Sequence, residues 1–134
     1  MKAFLSAPYA SHLISKEAAI GDALSALHAL RHLHPVIHVD EVEASDGCVW
    51  SPLIQGQTIF WNTGQRWSES AALEWCLRRL EHSGFDTLIV ATSPRRPGCG
   101  RNGMDVEADL ARELGYRIMS QAAAESMEFF ATPR

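Results

Sequence analysis

At 134 residues, 46% of them hydrophobic, the chain is long enough for a single domain with its own core and too apolar to be disordered. Its net charge of −4 gives no general support for nucleic-acid binding, so no direct contact with nucleic acid is expected. No apolar run approaches the roughly 20 residues that a bilayer span needs, so no membrane partner is expected either.

The cysteines, Cys48, Cys76 and Cys99, are odd in number, far apart and free of C-x-x-C spacing. A disulfide framework is therefore not expected, and a reducing compartment suits the chain. The N-terminus reads as a strand that runs into proline, without the long apolar stretch of a signal peptide. The expected location is the cytoplasm.

In chain order, residues 2–6 read as a short buried strand ending at Ser6-Ala7-Pro8-Tyr9. Residues 16–33 follow as an amphipathic helix, with Ser15 as N-cap and Ala19, Ile20, Ala23, Leu24, Leu27, Leu30 and Leu33 at helical spacing. Pro35 prevents its continuation. Val36-Ile37-His38-Val39 reads as a second strand ending at Asp40 and Glu41.

Residues 42–67 carry no clear period. They hold Trp50, Trp61 and Trp67 among glycines and prolines, with a short strand at Thr58-Ile59-Phe60. A stretch of this kind is often a binding loop, a lid or an oligomer contact. For its tryptophans, core or interface packing outweighs stacking on a base.

A helix over 69–82 follows, capped by Ser68, stopped by Gly84, and lined by Ala72, Leu73, Cys76, Leu77 and Leu80. Residues 86–91 read as a buried strand. A glycine-rich loop leads into a helix that ends at Gly115, a suitable C′ residue. Residues 116–119 form the next strand, and a last short helix spans about 121–130.

Alternation of this kind predicts an α/β protein: one Rossmann- or flavodoxin-like domain over residues 1–134, a three-layer sandwich with a mostly parallel sheet. Ligands of open α/β sheets bind beyond the carboxyl ends of the strands. Three loops converge there, at 6–9, 40–43 and 92–103.

Glu107 is the residue that departs from its surroundings. At helical spacing its neighbours are Gly103, Met104, Leu110, Ala111 and Leu114, while Asp105, Asp109, Arg112 and Glu113 take the other face. A carboxylate on a buried stripe is costly unless it is neutral, paired or in use. That placement suits a catalytic acid or nucleophile.

Arg95, Arg96 and Arg101 cluster in the preceding loop and offer a local anion site in an acidic protein. The loop lacks G-x-x-x-x-G-K-[ST], which excludes a P-loop. No G-x-G-x-x-G follows the first strand, so a standard dinucleotide site is not expected and no cofactor is assigned. His28 and His32 lie four apart on one helix, yet lack a partner set, and packing or surface roles are expected instead of metal. Cys99 lies among arginines that would lower its pKa, but no histidine partner can be assigned to it.

Three stretches resemble the nucleoside 2-deoxyribosyltransferase-like superfamily. Phe4-Leu5-Ser6-Ala7-Pro8-Tyr9 resembles its first strand and turn, and Phe85-Asp86-Thr87-Leu88-Ile89-Val90 its aspartate-then-strand segment. Gly103-x-x-x-Glu107, with Gly115 eight residues later, resembles its G-x-x-x-E helix and the strand entry that follows. The string Glu113-Leu114-Gly115-Tyr116 copies a family motif six residues out of place, and the spacing is the better guide.

The resemblance implies cleavage of the N-glycosidic bond of a nucleoside or nucleoside 5′-monophosphate, by hydrolysis or deoxyribosyl transfer, in nucleotide metabolism. Glu107 would be the nucleophile. Tyr9 would substitute for a family tyrosine whose position Phe4 occupies. Ser6, Pro8, Asp40, Asp86, Arg95, Arg101, Asn102 and Gly103 are the expected substrate-binding residues, with Asp86 structuring its strand and loop. A homo-oligomer is expected. Arg101 and Arg78 stand where the transferases carry acidic or amide residues, which favours a monophosphate over base exchange between free nucleosides. The alternatives are a nucleotide-binding or regulatory module without turnover, and an interaction protein whose tryptophan-rich segment is its partner surface.

Overall fold

The computed structural model describes residues 1–7, 16–33, 48–51, 69–92 and 103–127. Strand β1 (Lys2–Ser6) leads to helix α1 (Lys16–Ala29) and a 3₁₀ turn (Arg31–Leu33). Then come β2 (Cys48–Trp50), α2 (Glu69–His82), β3 (Thr87–Val90), α3 (Gly103–Glu113), β4 (Arg117–Ser120) and α4 (Gln121–Glu125). The four strands form one parallel sheet in the order β2-β1-β3-β4. The protein is α/β, as the alternation predicts.

Side-chain alternation along the strands builds two cores, one on each face of the sheet. Ala3, Leu5, Val49, Ile89 and Met119 pack with Ala23, Ala26, Leu30 and Leu33 from α1 and the turn after it. On the opposite face, Phe4, Trp50 and Leu88 pack with Cys76 and Leu80 of α2 and Ala111 of α3. Phe4 belongs to an aromatic cluster, its ring centroid 5.2 Å from Trp50 and 5.5 Å from Phe85. Trp50 has no exposed surface, so it is core and not a platform for a base.

The element bounds differ from the sequence expectation in places. The helix expected over 16–33 ends at Ala29, and the chain tightens into a 3₁₀ turn closed by Leu33 N–H to Leu30 C=O at 2.9 Å. Leu24, expected on the buried stripe, is 42% exposed. The stripe is carried by Ala23, Ala26 and Leu30, and Leu24 falls beyond its edge.

β2 lies inside the stretch that carried no readable period. It has only three residues, and both Val49 and Trp50 are buried on opposite faces, so no alternation marks it. The strands expected at 36–39 and 58–60, and the caps Ser15 and Ser68, lie outside the described residues. Among the described residues no helix is long and apolar enough to cross a membrane.

α3 ends as the sequence requires. Gly115 has φ +76°, its N–H bonds to Arg112 C=O at 3.1 Å, and Tyr116 N–H bonds to Ala111 C=O at 2.9 Å. This is the Schellman pattern with glycine at C′. It turns the chain away after Glu113 and leaves Leu114 38% exposed, off the buried stripe it was expected to join. The Tyr116 hydroxyl then donates to Leu80 C=O at 2.8 Å and ties the start of β4 to α2.

Candidate functional site

The strand order reverses direction at the centre of the sheet. The chain places β2 on one side of β1 and then returns to place β3 on the other. The gap above the carboxyl ends of β1 and β3 is therefore a topological switch point, where open α/β sheets bind ligands. Ser6 and Val90 are paired at that edge. The described chain breaks off there after Ala7 and after Thr92, and α3 begins at Gly103.

Glu107 stands at this point, one turn into α3. It is 3% exposed, and Ser6 is fully buried beside it. Ser6 Oγ donates to Glu107 Oε1 at 2.6 Å, joining residues 101 apart in sequence. Ser6 shares the sheet face of Phe4, since alternate strand residues point the same way. Its backbone C=O accepts from Ala91 N–H at 2.9 Å, so the end of β1 is held on its β3 side.

Burial pushes the Glu107 carboxyl up to about 8, against the opposing effect of the Ser6 hydrogen bond. The group is thus mostly neutral near pH 7. The thiol of Cys76, on α2, is pushed well up by its burial and secondarily by the nearby Glu107 charge. Cys99 lies outside the described residues, and the place of Cys76 on an ordinary apolar stripe carries no sequence signal of a carboxylate neighbour.

The edge is braced on its far side. Gln121 Oε1 accepts from Thr92 N–H at 2.8 Å, fixing the chain just after β3 to α4. Ser120 caps α4 by accepting from Ala123 N–H at 3.1 Å. Gly103, expected to bind substrate, opens α3, and a Cβ there would meet Leu73 Cδ1 at 3.5 Å, an ordinary contact.

Asp86 is not part of this arrangement. It precedes β3 at the amino end of the sheet, opposite the switch point. Its Oδ1 accepts from Lys2 N–H at 3.0 Å and from the Thr87 hydroxyl at 2.7 Å. Partial burial raises its carboxyl, but these two bonds and nearby positive charge, that of Lys2 included, hold it below its usual value. It fastens the entries of β1 and β3, at the opposite end of the sheet from Ser6 and Glu107.

Pro8, Tyr9, Asp40, Arg95, Arg96, Arg101 and Asn102 lie outside the described residues. Phe4, where the resemblance expects a tyrosine, is core. Among the described residues no group of three or more histidine, cysteine or carboxylate side chains is arranged to hold a metal ion. No family model, no curated protein and no solved structure matches the chain.

Proposed function

We propose that the protein cleaves the N-glycosidic bond of a nucleoside or nucleoside 5′-monophosphate, with Glu107 as the group that attacks the anomeric carbon. The observation that carries this reading is a buried carboxyl, held by a hydroxyl, at the switch point of a parallel sheet. Ionised, Glu107 would capture or stabilise an oxocarbenium-like centre, and water or a second base would then take the sugar. Arg95, Arg96 and Arg101, by sequence, suit the 5′-phosphate.

The proton on Glu107 sets the pH dependence. A nucleophile must be ionised, so kcat/KM should rise with pH up to about 8 and level off above it. Substrate that excludes further water would move this limb in kcat.

The neutral state of the resting carboxyl also favours a second reading, a nucleotide-binding module in which Glu107 donates a hydrogen bond to ligand without turnover. The two part company in one experiment. The protein is incubated with deoxynucleosides and their 5′-monophosphates, with and without a second free base, and released base is measured by chromatography. Base release that falls roughly thousand-fold or more in Glu107→Ala supports the cleavage reading. Release in Glu107→Ala within a few-fold of wild type ends it. No release from any substrate, with ligand affinity kept in Glu107→Gln, favours the binding module.

A further inference from the structure

We propose that Ser6 is the positioning residue of this site: its hydroxyl fixes the rotamer of the Glu107 carboxyl and governs its readiness to ionise. The inference rests on the reading of Glu107 as the reacting group, and it adds the device that controls that group.

The placement of Ser6 is unusual for what surrounds it. β1 is otherwise an apolar buried strand from Ala3 to Leu5, and the next described residue, Ala7, is buried as well. A buried hydroxyl is unfavourable unless it is hydrogen-bonded. The bond it makes is to Glu107, at 2.6 Å, the short distance of an O–H donor on a carboxyl oxygen. The backbone that carries Oγ is itself fixed, since Ser6 is paired with Val90 and its C=O is taken by Ala91 N–H. A rigid strand end thus holds a donor against a side chain that enters from a helix.

The groups facing Glu107 give Ser6 its weight. From α2 the titratable neighbour is Cys76, a thiol kept neutral by burial in the working range. From α3 itself come the apolar Met104 and Ala111 one turn to either side, both buried. Among these described neighbours, Ser6 supplies the dipole that favours the charged form of the carboxyl. Removing it leaves desolvation unopposed and frees the rotamer.

The test follows the carboxyl directly. The δ-carbon of Glu107 is titrated by carbon NMR in ¹³C-glutamate-labelled protein and assigned by its loss in Glu107→Gln. Ser6→Ala should move the midpoint upward by about one pH unit, and Ser6→Thr should return it to the wild-type value. The pH limb of kcat/KM should move with it, with kcat reduced about ten-fold and KM changed little. Should Ser6→Ala fail to fold, Ser6→Cys, nearly isosteric and a weak donor, should move the midpoint in the same direction. An unmoved midpoint in a folded Ser6→Ala or Ser6→Cys protein overturns the proposal. A moved midpoint in a protein that releases no base from any substrate leaves Ser6 in its role toward the carboxyl and refutes the cleavage reading alone.

Discussion

At the scale of the residue, Glu107 ties stability to pH in a direction opposite to that of most carboxylates. In the unfolded chain it ionises near the ordinary value of about 4.3, whereas in the fold it holds its proton up to about 8. Between those values the folded state binds more protons than the unfolded one. Its contribution is therefore fully present below the unfolded value and is lost as pH rises through the folded one, at a slope of at most about 1.4 kcal/mol per pH unit. Glu107→Gln keeps the shape and an acceptor for Ser6 but has no proton to lose. Urea denaturation of both proteins at pH 5 and at pH 8 should show wild type falling relative to the variant. Parallel behaviour would mean that the carboxyl is not kept neutral in the fold.

At the scale of the element, two glycines of the helices should respond to alanine with opposite signs. Gly115 takes φ +76° and a Cβ there meets nothing within 4 Å, so the cost of Gly115→Ala is one of backbone conformation, about 1–2 kcal/mol. Gly21 lies exposed inside α1, and a Cβ there also meets nothing within 4 Å. Gly21→Ala should stabilise by roughly 0.5–1 kcal/mol, because glycine is the weaker helix former. Urea midpoints moving apart in the two variants would bear this out, and a shared direction would not.

The elements that could be read in advance were those whose cause is local. The end of α3 is written in Gly115, and its buried stripe in Met104, Glu107 and Ala111. β2 could not be read, because a strand of three residues with Val49 and Trp50 buried on opposite faces carries no period. Leu24 and Leu114 were misassigned because helical spacing gives a stripe's direction but not its width or its end.

At the scale of the molecule, the site exists only through topology. Glu107 could be singled out by spacing, since its neighbours on one helix face are apolar. Ser6 is expected at the site through the resemblance, as a substrate-binding residue, but its bond to Glu107 is not, because Ser6 lies 101 residues away and the pair forms only when β1 becomes a central strand beside β3. Asp86 shows the converse. The resemblance groups it with Ser6 and Glu107, and strand direction puts it at the other end of the sheet from them.

If the carboxyl edge binds a nucleoside monophosphate, ligand at a hundred times its Kd should stabilise the whole protein by about 2.7 kcal/mol, seen as a rise in melting temperature. Replacing Arg95 and Arg101 with alanine should weaken monophosphates more than free nucleosides. Equal losses for both would mean that these arginines do not read phosphate, and no rise with any nucleotide would favour the interaction-protein alternative.

Ser6 meets two neighbours through two of its own atoms: the hydroxyl reaches Glu107, and the carbonyl receives the Ala91 amide. The Ala91 N–H is thus a listening post one residue removed from the buried carboxyl. A change in charge on Glu107 alters the field at the Ser6 peptide group and so the bond that its carbonyl accepts from Ala91. In nitrogen–proton spectra collected across pH, the Ala91 cross-peak should drift with the midpoint of Glu107 itself. The molecule would then report the state of its buried acid through an ordinary backbone signal, with no substrate present.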